Sequence, residues 1–74
     1  MGYNLIMKRK LGERIKELRT EQGLSMSELS KLTGISSSAL CNWENNLNDI
    51  SGDNLIILAK FFKVSTDYLL GLED

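Results

Sequence analysis

The sequence predicts an all-α chain of five short helices. Three observations carry that expectation. There is no Pro among the 74 residues, Leu and Ile recur three and four positions apart, and a Ser stands before several of these apolar runs, where it would cap a helix. A hydrophobic fraction of 42% is ordinary for a globular chain and argues against disorder. At this length the chain is near the lower limit for burying a self-sufficient core.

Residues 1–7 read as a short N-terminal tail, with Tyr3, Leu5 and Ile6 able to tuck against a body formed by residues 8–72. From 8 to about 22, Leu11, Ile15 and Leu18 repeat at i, i+4, i+7 between Lys and Glu, which predicts an amphipathic first helix ended by Gly23. Ser25 followed by Glu28 is a capping box and opens a second helix over 26–33. Leu29 and Leu32 follow at helical spacing, and Ser30 is small enough to let another helix come close. Thr33-Gly34 breaks the pattern, and Gly34 is free to take the positive φ that ends a helix. Ile35 is an apolar plug, Ser36 a second cap, and Leu40 with Trp43 the apolar stripe of a third helix over 37–45. Asn45-Asn46 closes it, since Asn tolerates the left-handed conformation. After a loop at 47–50, Ser51 caps a fourth helix over about 52–63, with Leu55, Leu58, Ala59 and Phe62 on one face. Val64 plugs the next turn, Ser65 caps a fifth helix over 66–70, and Gly71 stops it.

Two short helices joined by a tight glycine-containing turn form a helix-turn-helix, whose second helix can enter a DNA major groove. The charge balance does not itself point to nucleic acid: 9 Lys+Arg stand against 10 Asp+Glu, with a pI near 5.3. The distribution is uneven, however, with seven basic and four acidic residues over 1–34 and two basic and six acidic over 35–74. Between Leu29 and Trp43 there is no acid at all, so the reading surface is neutral rather than repulsive. With no His and one Cys, the chain has little from which to build a zinc site or a nucleophilic dyad, so we expect no enzyme and no cofactor. A lone Cys also fits a reducing compartment, and basic residues that follow rather than precede a short apolar stretch are the reverse of a secretory signal. The expected location is the cytoplasm.

These residues resemble the lambda-repressor-like, Cro/Xre-type helix-turn-helix family. The resemblance runs from about Leu11 to Leu70. It rests on L-G-E-R-I-K-E-L-R at 11–19, G-L-S at 23–25, L-S-K-L-T-G-I-S at 29–36, W-E at 43–44 and V-S-T-D-Y-L-L at 64–70. It implies a compact five-helix DNA-binding domain with the helix-turn-helix at helices two and three. It also implies a structural pair between Arg19 and Glu44, which a bidentate arginine–carboxylate contact would serve well. The chain departs from the family in having Met26 where Gln is frequent, Asn46 where Gly is usual, and Ile50 where Pro is common.

Carried over by position, the base-contact candidates are Ser37, Ser38, Cys41 and Asn42. The phosphate-contact candidates are Arg19, Ser25, Ser27, Lys31, Ser36, Asn45 and Asn46, beside the helix N-terminal amides. Lys8, Arg9 and Lys10 offer a basic arm or simply a solvated helix start. Trp43 belongs to the core by its spacing from Leu40. Beyond the core face of helix four, Ile56, Ile57 and Phe61, with Leu70 and Leu72, are candidates for a homodimer interface, because such domains read two half-sites. The expected partner is therefore double-stranded DNA with a palindromic operator, with no membrane and no small-molecule ligand. The expected role is a bacterial- or phage-type repressor. A different class stays open: an antitoxin-like or anti-regulator protein-interaction module that keeps the fold and has lost strong DNA binding.

Overall fold

The computed structural model describes residues 2–72, with side chains described from Lys10 onward. The elements are α1 (Gly2–Glu21), α2 (Met26–Thr33), α3 (Ser37–Glu44), α4 (Gly52–Phe62) and α5 (Thr66–Leu70). Among the described residues, all regular structure is helical.

Four of the five helices begin on a serine, and the chemistry is the same each time. Ser25, Ser36, Ser51 and Ser65 hold extended backbone while their hydroxyls accept a hydrogen bond from the backbone N–H three residues on. Each cap satisfies one of the amide donors a helix start leaves over and contributes about 1 kcal/mol. The expected capping box is complete: the Glu28 carboxylate accepts from the Ser25 N–H at 2.8 Å, and Ser25 Oγ accepts from the Glu28 N–H at 3.0 Å. Helix ends are as regular. Asn46 takes φ 60° after α3, its N–H reaching Trp43 O and the Leu47 N–H reaching Asn42 O at 2.8 Å. That pair of bonds is a Schellman closure, and it shows why Asn serves here in place of Gly.

One expectation is corrected at the N-terminus. The segment read as a tail is helical from Gly2, continuous with α1. No Pro interrupts it, and once a helix is nucleated each further residue adds one hydrogen bond. The tuck of Tyr3, Leu5 and Ile6, and the basic side chains of Lys8 and Arg9, lie outside the described side chains.

Among the described residues, each helix gives the core a wholly buried side chain: Ile15, Leu29, Leu40, Leu58 and Leu69. Leu11, Ile35, Trp43, Ala59 and Phe62 complete it, with Leu18, Leu24, Met26, Leu55, Phe61 and Val64 packed around its edge. α1 packs on α3 and α5, α2 on α3 and α4, and α4 on α5. Leu32 does not join this core; it is 59% exposed. Three residues on from Leu29 the helix has turned about 300°, and the narrow buried stripe of an eight-residue helix excludes it. Phe61 departs the other way, being half-buried with its ring edge-on to Phe62 at 5.1 Å between centroids.

α1 and α3 approach closely at Gly12. A β-carbon there would stand 2.7 Å from Trp43 O, 2.8 Å from Asn46 Oδ1 and 2.9 Å from Glu44 O. Only a hydrogen fits, so this glycine sets how near the end of α3 comes to α1.

Candidate nucleic-acid interface

The two central helices are joined by residues 34–36, and local hydrogen bonds hold that turn shut. Gly34 sits at φ 77° with its N–H on Ser30 O, ending α2. Ser30 Oγ then donates to Ile35 O, while Thr33 Oγ1 donates to Leu29 O and accepts from the Ile35 N–H at 3.3 Å. Ile35 is anchored in the core at 6% exposure. The turn is thus fixed from both sides: its backbone by small hydroxyl residues, its apex by an apolar plug.

α3 is held at its far end by the expected arginine–glutamate pair. Arg19 donates from Nε to Glu44 Oε2 at 2.8 Å and from Nη2 to Glu44 Oε1 at 3.1 Å. Its Nη1 donates to Leu24 O at 2.9 Å, so one guanidinium joins the end of α1, the connection to α2 and the end of α3. The hydrogen bond to Glu44 raises the Arg19 pKa above its ordinary range. Three of its five N–H groups are spent inside the protein, and the pair's side chains are 15% and 7% exposed. Arg19 therefore acts first as a clamp.

With one face of α3 buried through Leu40 and Trp43, the opposite face is exposed. Ser37, Ser38 and Cys41 are exposed and Asn42 is half-buried. All four line one shallow, open concavity, whose remaining lining is Met26 and Ser27 from the start of α2. The four base-contact candidates are therefore brought together, and no charged side chain lines the hollow. Hydroxyl, amide and thiol groups on a helix face can donate to and accept from base edges in a major groove.

The phosphate-contact candidates divide. Ser25 and Ser36 are spent as caps on their own helices, and Asn45 Nδ2 donates to Cys41 O at 2.9 Å. Asn46 turns its Oδ1 into the protein, where it is buried without a hydrogen-bond partner. Ser27 and Lys31 remain, exposed on α2. Glu28 sits beside them, its carboxyl held below the usual range by the Ser25 backbone N–H first and the Ser25 hydroxyl second.

Two features escaped the sequence. Arg14 lies over the Tyr68 ring at 4.0 Å from its centroid and donates from Nη1 to Tyr68 O at 3.0 Å, docking α5 on α1. Arginine and tyrosine 54 residues apart give no local pattern to read. The other is Met26, which in the sequence stands only as a departure from the family's frequent Gln yet forms one wall of the hollow.

Among the described residues, no cluster of three His, Cys, Asp or Glu could hold a metal ion, and no helix is long and apolar enough to cross a membrane. Trp43 is 5% exposed, with its indole N–H donating to Asp49 O at 3.3 Å, and is a core residue as its spacing implied.

A capped eight-residue helix, a glycine turn and a second eight-residue helix with a free polar face define a helix-turn-helix protein. The chain belongs to the HTH_3 helix-turn-helix family, which it matches over residues 15–69. It is 38% identical over 64 residues to the transcriptional regulator ImmR of Bacillus subtilis, covering 86% of this chain and 50% of ImmR. It is 37% identical over 60 residues to repressor protein C2 of Salmonella phage P22, covering 81% of this chain and 28% of C2. Among solved structures, the restriction-modification controller protein C.AhdI from Aeromonas hydrophila superimposes with a TM-score of 0.76 at 32% identity, over 84% of this chain and 94% of that one. The chain thus spans half the length or less of the two curated relatives.

Proposed function

We propose that this chain is a sequence-specific, double-stranded-DNA-binding repressor of bacterial or phage type. α3 lies in the major groove and α2 crosses the phosphate backbone. The observation that carries this reading is the hollow of Met26, Ser27, Ser37, Ser38, Cys41 and Asn42, on a helix pair whose second member is tied to α1 by the Arg19–Glu44 clamp. Its lining offers Asn42 for bidentate pairing with adenine and serines for several base edges. The absence of Arg from that lining leaves a share of the specificity to the shape and deformability of the duplex. The likeness to phage repressor C2 supports the same reading.

Ser27, Lys31 and the backbone amides at the start of α2 and α3 supply the phosphate contacts, and Arg19 contributes through the donors its clamp leaves over. Reading a palindromic operator requires two copies related by a twofold axis. Ile57 and Leu72, 39% and 49% exposed, form the homodimer contact together with the half-buried Phe61 and Leu70. Regulation is by occupancy in the cytoplasm, without catalysis or a cofactor.

Selection from a pooled random duplex library at low salt, followed by salt titration, tests this. Saturable enrichment of a palindromic site is the expected result. Binding no better than nonspecific, with no site enriched, contradicts it and favours the protein-interaction module that the acidic pI of about 5.3 would suit. Sedimentation equilibrium on the free and DNA-bound protein tests the dimer. A monomer at high concentration and one copy per operator would overturn it.

A further inference from the structure

We infer that Met26 is a specificity-determining residue that reads the C5-methyl group of a thymine in the operator. The inference rests on the DNA-binding reading above and extends it to a particular base. Of the six residues lining the hollow, five bring a hydroxyl, an amide or a thiol, and Met26 alone brings a wholly apolar side chain. One part of Met26 is fixed, since it packs against the edge of the core; the rest faces the hollow, and the residue is half-buried. It stands at the first position of α2, immediately after Ser25, where the capping box holds the backbone.

A major groove displays one apolar group at base level, the thymine methyl, beside donors and acceptors common to several bases. Serine and asparagine side chains satisfy the latter and gain nothing from a methyl. An unbranched, polarisable thioether fills an irregular apolar gap well. Cys41 flanks it on α3, its Sγ already receiving Asn45 Nδ2 at 3.4 Å, so the thiol is turned toward its own helix end and Met26 remains the apolar wall. Met26 at the start of α2 thereby supplies a methyl contact, and the chain gains preference for thymine over cytosine at one position in each half-site.

The experiment starts from the site enriched from the random library and replaces each thymine of a half-site, one at a time, by deoxyuridine, which removes only the methyl group. For the unaltered protein, one replacement per half-site is expected to weaken binding about fourfold, the value of one buried methyl-sized group. Against M26Q that same replacement is expected to change affinity by less than about twofold, with thermal unfolding checking that M26Q is folded. If no deoxyuridine replacement weakens binding by the unaltered protein, or if the loss persists undiminished in M26Q, the assignment of Met26 is overturned while the DNA-binding reading stands. If no site is enriched at all, both are overturned.

Discussion

The two faces of α3 are built on opposite principles. The inward face is over-determined: Leu40 is wholly buried, Trp43 is packed and hydrogen-bonded to Asp49 O, and Glu44 holds two hydrogen bonds from Arg19. The outward face is packed against nothing in the core, with Ser37, Ser38 and Cys41 exposed at the rim of a hollow that also takes in Asn42. The difference teaches where stability and recognition reside in so small a chain. Changes inward should move the folding equilibrium, and with it everything else. Changes outward should move the choice of DNA and leave folding alone.

The strongest way to break the inward side is Leu40→Ala, which removes a side chain with 0% exposure. It should cost about 2–5 kcal/mol in urea denaturation, enough to unfold a large share of the protein. Arg19→Ala comes next. It strands a carboxylate that is 7% exposed and frees Leu24 O, for an expected loss of about 1–3 kcal/mol and weaker DNA binding. Arg19→Lys should recover only part, because one ammonium cannot reproduce the two parallel bonds. Gly12→Ala should lose a comparable amount, about 1–3 kcal/mol, since its methyl would meet Trp43 O and Glu44 O and push α1 from α3.

Smaller effects sharpen the comparison at the entrance to α2. Ser25→Ala removes the cap and should cost about 1 kcal/mol. The Glu28 half of that box carries a pH dependence. Because its pKa is lowered in the folded state, its contribution is present above the ordinary glutamate pKa and is lost as pH falls through the lowered value. Thermal melts of Glu28→Gln should therefore show a slightly flatter acid limb than the parent chain.

Much of this organisation was legible in the sequence, and what was not has a physical reason. Caps and turns are short-range devices, so Ser25 with Glu28, Gly34 and Ser65 marked the helix ends closely. The Arg19–Glu44 pair spans 25 residues and was visible only through the family resemblance. The Arg14–Tyr68 contact spans 54 residues and was not visible at all. Leu32 misled because periodicity reports that a stripe is apolar, not how wide a neighbour will cover it. The outward face showed the same limit: the family resemblance, carried over by position, put Ser37, Ser38, Cys41 and Asn42 on it, but only the fold set Met26 beside them.

The division between the two faces is tested most directly at Asn42. Asn42→Ala, at a half-buried position outside the core, should change unfolding free energy by no more than about 1 kcal/mol. On the site selected by the unaltered protein, it should lose about 1–3 kcal/mol of discrimination at one base pair in each half-site. Paired denaturation and binding curves on the same preparation measure both. Unchanged affinity and unchanged sequence preference would contradict the account, and so would a loss of binding that merely tracked a loss of folding.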